Sequence, residues 1–360
     1  MKRSILIAVP GTLLAGHLSA QDSTKNNLTL SGYAEAYYSY DFNKPSLNSK
    51  APFVYSYNRN NEVTVNLAYV KAAYNNDKIR ANIALAAGTY VNANYAAEAG
   101  VLKNIYEANA GVKIARKANL WVDAGIFASH IGFESARGKD CWTLTRSIVA
   151  DNSPYYESGA KISYTSSNNK WFLSALYLNG WQHIQRPDYN TTPAGGLQVT
   201  FTPSSKVILN YSNFIGNDKP DSARLMRYYH DFYGIFQLSD IMGVTAGLDV
   251  SMQQKEKGSS DFNFVYAPQV ILKISPDSKN SIAARAEYYS DKNQSLISTG
   301  TEDGFKALGL SINYDRQILN NLVWRIELRN LHGDNEYFIK KDDEIKKNTT
   351  FVTTALAFSF

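Results

Sequence analysis

Most of the chain alternates apolar and polar residues with a period of two, in segments of about ten residues. That period puts successive side chains on opposite faces, so it admits strands and excludes helices as the main elements. Along Ile282–Tyr289, Ile282, Ala284, Ala286 and Tyr288 share one face, while Ala283, Arg285, Glu287 and Tyr289 share the other. Trp324, Ile326 and Leu328 oppose Arg325, Glu327 and Arg329 in the same way. So do Val244, Ala246, Leu248, Val250 and Met252 against Thr245, Asp249, Ser251 and Gln253, and Ile79, Ala81, Ile83 and Leu85 against Arg80 and Asn82. The phase set by Val63, Val65, Leu67 and Tyr69 slips over Val70–Tyr74, and a bulge near Lys71 accounts for it.

Alternation also suits a soluble β-sandwich, so the connections have to discriminate. Sixteen strands can be read between Leu28 and Phe360, among them Trp171–Trp181 and Gly304–Asp315. Short links rich in Asn, Asp, Ser and Pro, such as Asn75–Lys78, Pro203–Lys206 and Arg316–Asn321, have tight-turn composition. They take turns with longer links, from Asp41–Asn61 to His332–Lys347. A sandwich has no reason to sort its loops by length. The expected fold is therefore all-β, a transmembrane antiparallel barrel of about sixteen strands, with short periplasmic turns and long extracellular loops.

The chain ends fit that expectation. Lys2 and Arg3 precede the apolar run Ile5–Leu14, and Ser19-Ala20 precede polar Gln21-Asp22, the layout of a cleaved secretory leader over residues 1–20. Residues 21–360 then form a single outer-membrane barrel domain. At the other end, Val352, Thr354, Leu356, Phe358 and Phe360 share a face and Phe360 is the last residue. Phe358 and Phe360 are thus read as the signal for the barrel-assembly machinery. The single cysteine, Cys141, cannot form an internal disulfide, and a closed barrel needs none because its ladder satisfies every backbone group. The chain has 25 Tyr and 16 Phe yet a negative mean hydropathy of −0.32, the mixture that aromatic girdles around a polar interior produce.

With the apolar parity toward lipid, the opposite parity carries Arg80, Lys113, Asp123, Lys161, Asp249, Lys273, Arg285, Glu287, Arg325, Glu327 and Arg329. A charge on the lipid face at midplane costs roughly 2–4 kcal/mol, so these side chains are expected to point inward and line a pore. A barrel of this strand number is wide enough for an aqueous channel. The formal charge of +5 is spread out, with no dense basic block for nucleic acid. Inward signs nearly balance, so strong charge selectivity is not expected, although Arg285, Arg325 and Arg329 fall on neighbouring strands as a locally positive wall. No His pair has metal-ligand spacing, no Ser-His-Asp set assembles, and no phosphate-binding glycine loop occurs. The expectation is a chain with no enzymatic activity, no cofactor and no metal.

Several segments resemble the OmpL-like "putative β-barrel porin" family of Gram-negative bacteria. They include Ser31–Phe42, Leu120–Phe127, Ser129–Ser135, Trp142–Ser147, Asn152–Gly159, Leu178–Gln182 and Arg227–His230, densest between Leu120 and Trp181. Where that pattern leads one to expect Asn, this chain carries Cys141. The resemblance implies an outer-membrane barrel and brings no established substrate. The third long link, Ser129–Tyr155, resembles in place and length the constriction loop of general porins. Phe133, Trp142, Leu144 and Ile148 give it apolar anchors, and Glu134, Arg137, Lys139, Asp140 and Arg146 are its candidate charges at the constriction. The expected function is passive diffusion of small hydrophilic solutes or ions. The alternative is a structural or adhesive barrel with a closed lumen. Outer-membrane lipid is the expected surround, and monomer and oligomer are both compatible with the sequence.

Overall fold

The structure, a computed structural model, describes residues 27–360; the expected leader and its cut after Ala20 lie outside the described residues. The strands are β1 (Leu28–Asp41), β2 (Val63–Asn75), β3 (Ile79–Ala87), β4 (Ile105–Lys113), β5 (Asn119–Ala128), β6 (Tyr156–Thr165), β7 (Trp171–Leu178), β8 (Ala194–Ser204) and β9 (Val207–Asn217). They continue as β10 (Met226–Gln237), β11 (Met242–Gln254), β12 (Phe262–Ile274), β13 (Asn280–Asp291), β14 (Phe305–Leu319), β15 (Leu322–Gly333), β16 (Phe338–Ile339), β17 (Ile345–Lys346) and β18 (Asn348–Ser359). β16 and β17 make a small hairpin in the last loop, and the other sixteen close one barrel. Every pairing is antiparallel, and β1 completes the ring against β18, from Tyr33↔Ser359 to Asp41↔Phe351. Closure leaves no open strand edge to meet hydrocarbon.

The links divide by length as the turn chemistry demands. Turns 76–78, 114–118, 166–170, 205–206, 238–241, 275–279 and 320–321 occupy one rim. The other rim carries L1 (42–62), L2 (88–104), L3 (129–155), L4 (179–193), L5 (218–225), L6 (255–261), L7 (292–304) and L8 (334–347).

The outer face is apolar and uncovered. Along β14, Leu308, Leu310 and Ile312 are 43, 50 and 55% exposed, while the intervening Ala307, Gly309 and Ser311 are buried. A continuous belt of such residues around a whole molecule is untenable in water, so the belt faces lipid. Aromatic side chains edge it on both rims. Trp171 stacks on Phe201 with ring centroids 4.2 Å apart toward the short-turn rim, and Tyr266 lies 6.0 Å from Tyr288 toward the loop rim.

Three details differ from the sequence reading. The bulge sits at Asn66, not near Lys71: Glu35 pairs with Leu67 and Ala36 with Val65. Val63 and Val65 therefore face lipid while Leu67, wholly buried, points inward; an apolar residue suits either face, so the pattern did not locate the slip. β7 ends at Leu178, because Asn179–Trp181 turn into L4 through Gly180 at φ 146°. β14 runs on into the expected turn, since Arg316 pairs with Trp324 and Gln317 with Val323, leaving a link of only 320–321.

Candidate pore and constriction loop

L3 leaves the wall at a neck closed by Ser129 N donating to Tyr155 O at 3.0 Å. His130 pins the neck: its Nδ1 lies 2.9 Å from Glu157 and its Nε2 lies 2.7 Å from Asn213 O. From there the loop descends inside the barrel, turns through a short 3-10 segment at Gly138–Asp140 beside β1, and returns along β13, β14 and β15. The turn comes close to the wall only because residue 138 is Gly. A Cβ there would lie 2.2 Å from Glu35 Oε1 and 2.5 Å from Tyr57 Oη. Those two side chains are themselves buried and joined by a 2.8 Å hydrogen bond.

A loop inside a lumen has no ladder to satisfy its backbone, so its N–H and C=O groups need other partners. The wall supplies them. Leu144 N donates to Asn313 Oδ1 at 3.0 Å, Thr145 N to Glu327 and Ile148 N to Glu287 at 2.6 Å. In return, Arg325 donates to Gly138 O and Cys141 O, Arg285 to Thr145 O at 2.8 Å, and Arg329 to Arg146 O at 2.6 Å. Carboxylates balance these cations. Arg285 meets Glu134, Glu287 and Glu327 at 3.4, 3.4 and 3.2 Å; Arg329 meets Glu287; Arg325 meets Asp315 at 2.6 Å. Apolar anchors complete the hold. Leu144 is buried with Tyr37, Tyr57 and Ala355, and Ile148 with Phe53, Val265 and Tyr289. Phe133 and Trp142 pack on Ile208, Tyr233 and Ile235 across the lumen.

Every wall charge named from the sequence lies on the inward parity, but they separate into two groups. Arg285, Glu287, Arg325, Glu327 and Arg329 are covered by L3, at most 5% exposed. They do not form a positive wall for solute: their charge is neutralised by carboxylates and their donors are used by the loop. Asp249 is also buried, accepting from Tyr229 Oη at 2.7 Å. On the uncovered side Arg80 grips Asp123 in a two-pronged pair and keeps a third of its side chain exposed, and Lys71 pairs with Glu107 at 2.7 Å. Lys113, Lys161 and Lys273 stay half-buried.

The loop charges also divide. Arg146 does not face the passage. It is fully buried and donates into its own loop, to Ser135 O and Leu144 O, both at 2.6 Å, and to Ala136 O at 3.3 Å. Glu134 accepts from Ser147 N and Oγ, and Arg137 pairs with Asp140 and reaches Tyr69 Oη at 3.3 Å. Lys139 alone of this set is exposed, contacting Ser359 Oγ near the short-turn rim. Cys141 is structural: its Sγ accepts from Ser135 N at 3.1 Å, and burial pushes the thiol up to about 11, so it stays protonated and inert at neutral pH.

The sequence reading passed over L1 and L2, which also fold inward. In L1, Asp151 of L3 accepts from Ser56 Oγ at 2.8 Å and from Tyr55 N and Ser56 N at 3.2 Å. In L2 a short helix, α1 (Thr89–Asn94), seats Tyr90 against Tyr155, and Tyr95 of the same loop stacks on Tyr156 at 3.9 Å. Tyrosines in loops that are destined for solvent have little to pack on, and that was the available signal.

Solved structures share this architecture. OmpT of Vibrio cholerae superposes with a TM-score of 0.58 at 11% identity, covering 92% of this chain and 97% of that one. An anion-selective porin from Comamonas acidovorans gives 0.60 at 8% identity, with 92% and 99% covered. The outer membrane channel DcaP of Acinetobacter baumannii gives 0.59 at 12% identity, with 95% and 100% covered. At such identities the likeness speaks for the fold. Among curated proteins, none matches the chain in sequence. A family model does, over residues 27–360, so the chain belongs to the family described as "Putative beta-barrel porin-2, OmpL-like" and is a porin-type channel of the outer membrane.

Proposed function

We propose that small hydrophilic solutes cross passively between L3 and the wall opposite its clamp, through the side lined by β3 to β7. The observation that carries this is the lopsided coverage of the lumen. Inward charges on β13 and β15 are shut away under the loop, while Arg80, Lys113 and Lys161 across the barrel remain partly exposed. Below the loop, on the side of β12 to β15, a polar cavity of about 230 Å³ opens at the short-turn mouth. A second, smaller cavity of about 70 Å³ lies beside L3, bordered by Tyr106, Glu134, Asp249 and Gln269. Proteoliposomes swollen in sugars of graded size test the proposal: rates should fall steeply with sugar size. Absence of swelling from folded protein would favour the structural or adhesive barrel, a reading to which the inward-packed L1 and L2 lend support.

The route to the membrane belongs to the same proposal. A leader of residues 1–20 gives a mature N-terminus at Gln21, read by mass spectrometry of the membrane fraction. The terminal strand with Phe358 and Phe360 serves the barrel-assembly machinery. A trimer form recorded for OmpT of Vibrio cholerae supports an oligomer here as well, which native mass spectrometry would count.

A further inference from the structure

Inward charges are sorted along the barrel axis as well as around it. Many inward carboxylates are spoken for by ion pairs: Asp123 by Arg80, Glu107 by Lys71, Asp315 by Arg325, and the clamp glutamates by Arg285 and Arg329. Those without an ion pair among the described residues are buried and lie at mid-height or above. Glu35, Asp231 and Asp249 sit near the middle of β1, β10 and β11, and Asp41, Glu98, Asp151 and Asp291 toward the loop rim. All seven are at most 6% exposed.

Lysines show the opposite arrangement. Lys113 is the last residue of β4, Lys273 the last but one of β12, and Lys161 lies in the lower half of β6. Lys139 at the L3 turn reaches Ser359 of β18. Among the described residues none of the four has a carboxylate within ion-pair distance. Lys161 Nζ rests over the Phe127 ring at 4.6 Å and Lys273 Nζ lies 5.8 Å from the Trp142 ring. Lys139 and Lys273 both border the cavity at the short-turn mouth. Of the two carboxylates on that cavity one has a cationic partner and the other, exposed, is held by its own turn. Asp315 pairs with Arg325, and Asp277 accepts from Lys279 N at 2.7 Å, from Asn280 N at 2.9 Å and from Asn280 Nδ2 at 2.6 Å.

We propose that the periplasmic half of the lumen is an anion funnel, with a transit site for small oxyanions or carboxylates between Lys139 and Lys273. The inference rests on the channel reading and supplies the substrate class that reading lacks. A narrow passage with low-dielectric walls focuses the field of unpaired charges, so the balance of exposed groups sets selectivity rather than the total count of residues. It also explains why near-balanced inward signs do not mean a neutral pore: apart from Asp277 at the mouth, these acids are paired or buried, whereas the four lysines have no carboxylate partner among the described residues.

The test is the reversal potential of the purified protein in a planar bilayer under a potassium chloride gradient at low ionic strength, where screening is weakest. Wild type should favour chloride. Replacing Lys113, Lys161 and Lys273 together by Gln should lower the anion-to-cation permeability ratio, by roughly twofold per lysine for charges about 8 Å from the ion path. Lys→Arg at the same positions should keep the preference, which separates charge from misfolding. Inorganic phosphate should reduce chloride current more from the periplasmic side, and Lys139→Gln with Lys273→Gln should abolish that asymmetry. A conducting wild type that is unselective or prefers potassium overturns the inference and leaves the channel standing. A folded protein that passes no current overturns the channel reading itself. A selective wild type whose triple Gln variant matches it removes the lysines from the account.

Discussion

Replacing Arg285 by Met should free L3 without unmaking the barrel. The side chain is buried and holds Thr143 Oγ1 at 3.0 Å, Thr145 O at 2.8 Å, Thr145 Oγ1 at 3.2 Å, Glu327 at 3.2 Å and Glu134 at 3.4 Å. Glu287 keeps Arg329 in the variant, but Glu134 and Glu327 lose their only ion-pair partner among the described residues. Removing one partner of a buried pair costs roughly 3–5 kcal/mol, because the other charge is left uncompensated. Ser147 N and Thr145 N still donate to the two glutamates, which places the cost toward the lower end. At 1.4 kcal/mol per decade, the docked-to-undocked ratio of the loop falls by roughly two to three orders of magnitude. The barrel ladder is untouched, so the penalty falls on loop docking. Single-channel recordings should show larger, flickering openings, and trypsin should cut after Arg137, which the docked loop holds against Asp140 and Tyr69. Adding Glu327→Gln should return part of the wild-type behaviour, since the two sites share one network. A folded Arg285→Met protein with wild-type conductance and wild-type resistance to trypsin would refute the clamp.

Two further predictions concern the seam and the loops. Deleting Phe360 removes the reciprocal bonds Phe360 N→Gly32 O at 3.1 Å and Gly32 N→Phe360 O at 3.0 Å, together with the ring that lies over Gly32. Two backbone bonds are worth roughly 2 kcal/mol, so the urea midpoint and the yield of heat-modifiable barrel should both drop; unchanged values would contradict a role in closure. The docking of L1, held to L3 by Asp151 and to β18 by Lys50, should be weakest near pH 6–7. Burial pushes Asp151 up to about 6, so docking strengthens as pH falls through 6 toward the ordinary carboxylate value, where the docked state holds a proton the free loop has lost. Burial lowers Lys50 to about 7 against the pull of Asp41, so docking also strengthens as pH rises from 7 toward the ordinary lysine value. Limited proteolysis of L1 at Lys44 and Arg59 should peak between those limits, and a monotonic profile would oppose this account.

The strands were legible because a lipid-facing barrel wall imposes one rule on every strand, and Arg325-Ile326-Glu327-Leu328-Arg329 obeys it as plainly as any. Loop entry was legible from length and from anchors such as Leu144 and Ile148, which no solvent-exposed loop would keep. The clamp was not. Period two says that Arg285 and Arg329 point inward; it cannot say that a segment of chain some 140 residues away lies on top of them. Arg146 misled for the same reason, since nothing local shows that its guanidinium turns back on Ser135 and Leu144. The bulge at Asn66 escaped because Leu67 suits either face of the wall.

Single-channel conductance of wild type against a variant lacking Ser135–Asp140 tests the central claim most directly. Those residues form the turn of L3 that crosses to Tyr33 and Glu35, and they contribute no strand to the wall. If L3 is the constriction, the wild type conducts and the shortened protein conducts distinctly more, because the narrowest section sets the resistance. Equal conductance from two equally folded proteins would contradict the account and move the constriction elsewhere in the lumen.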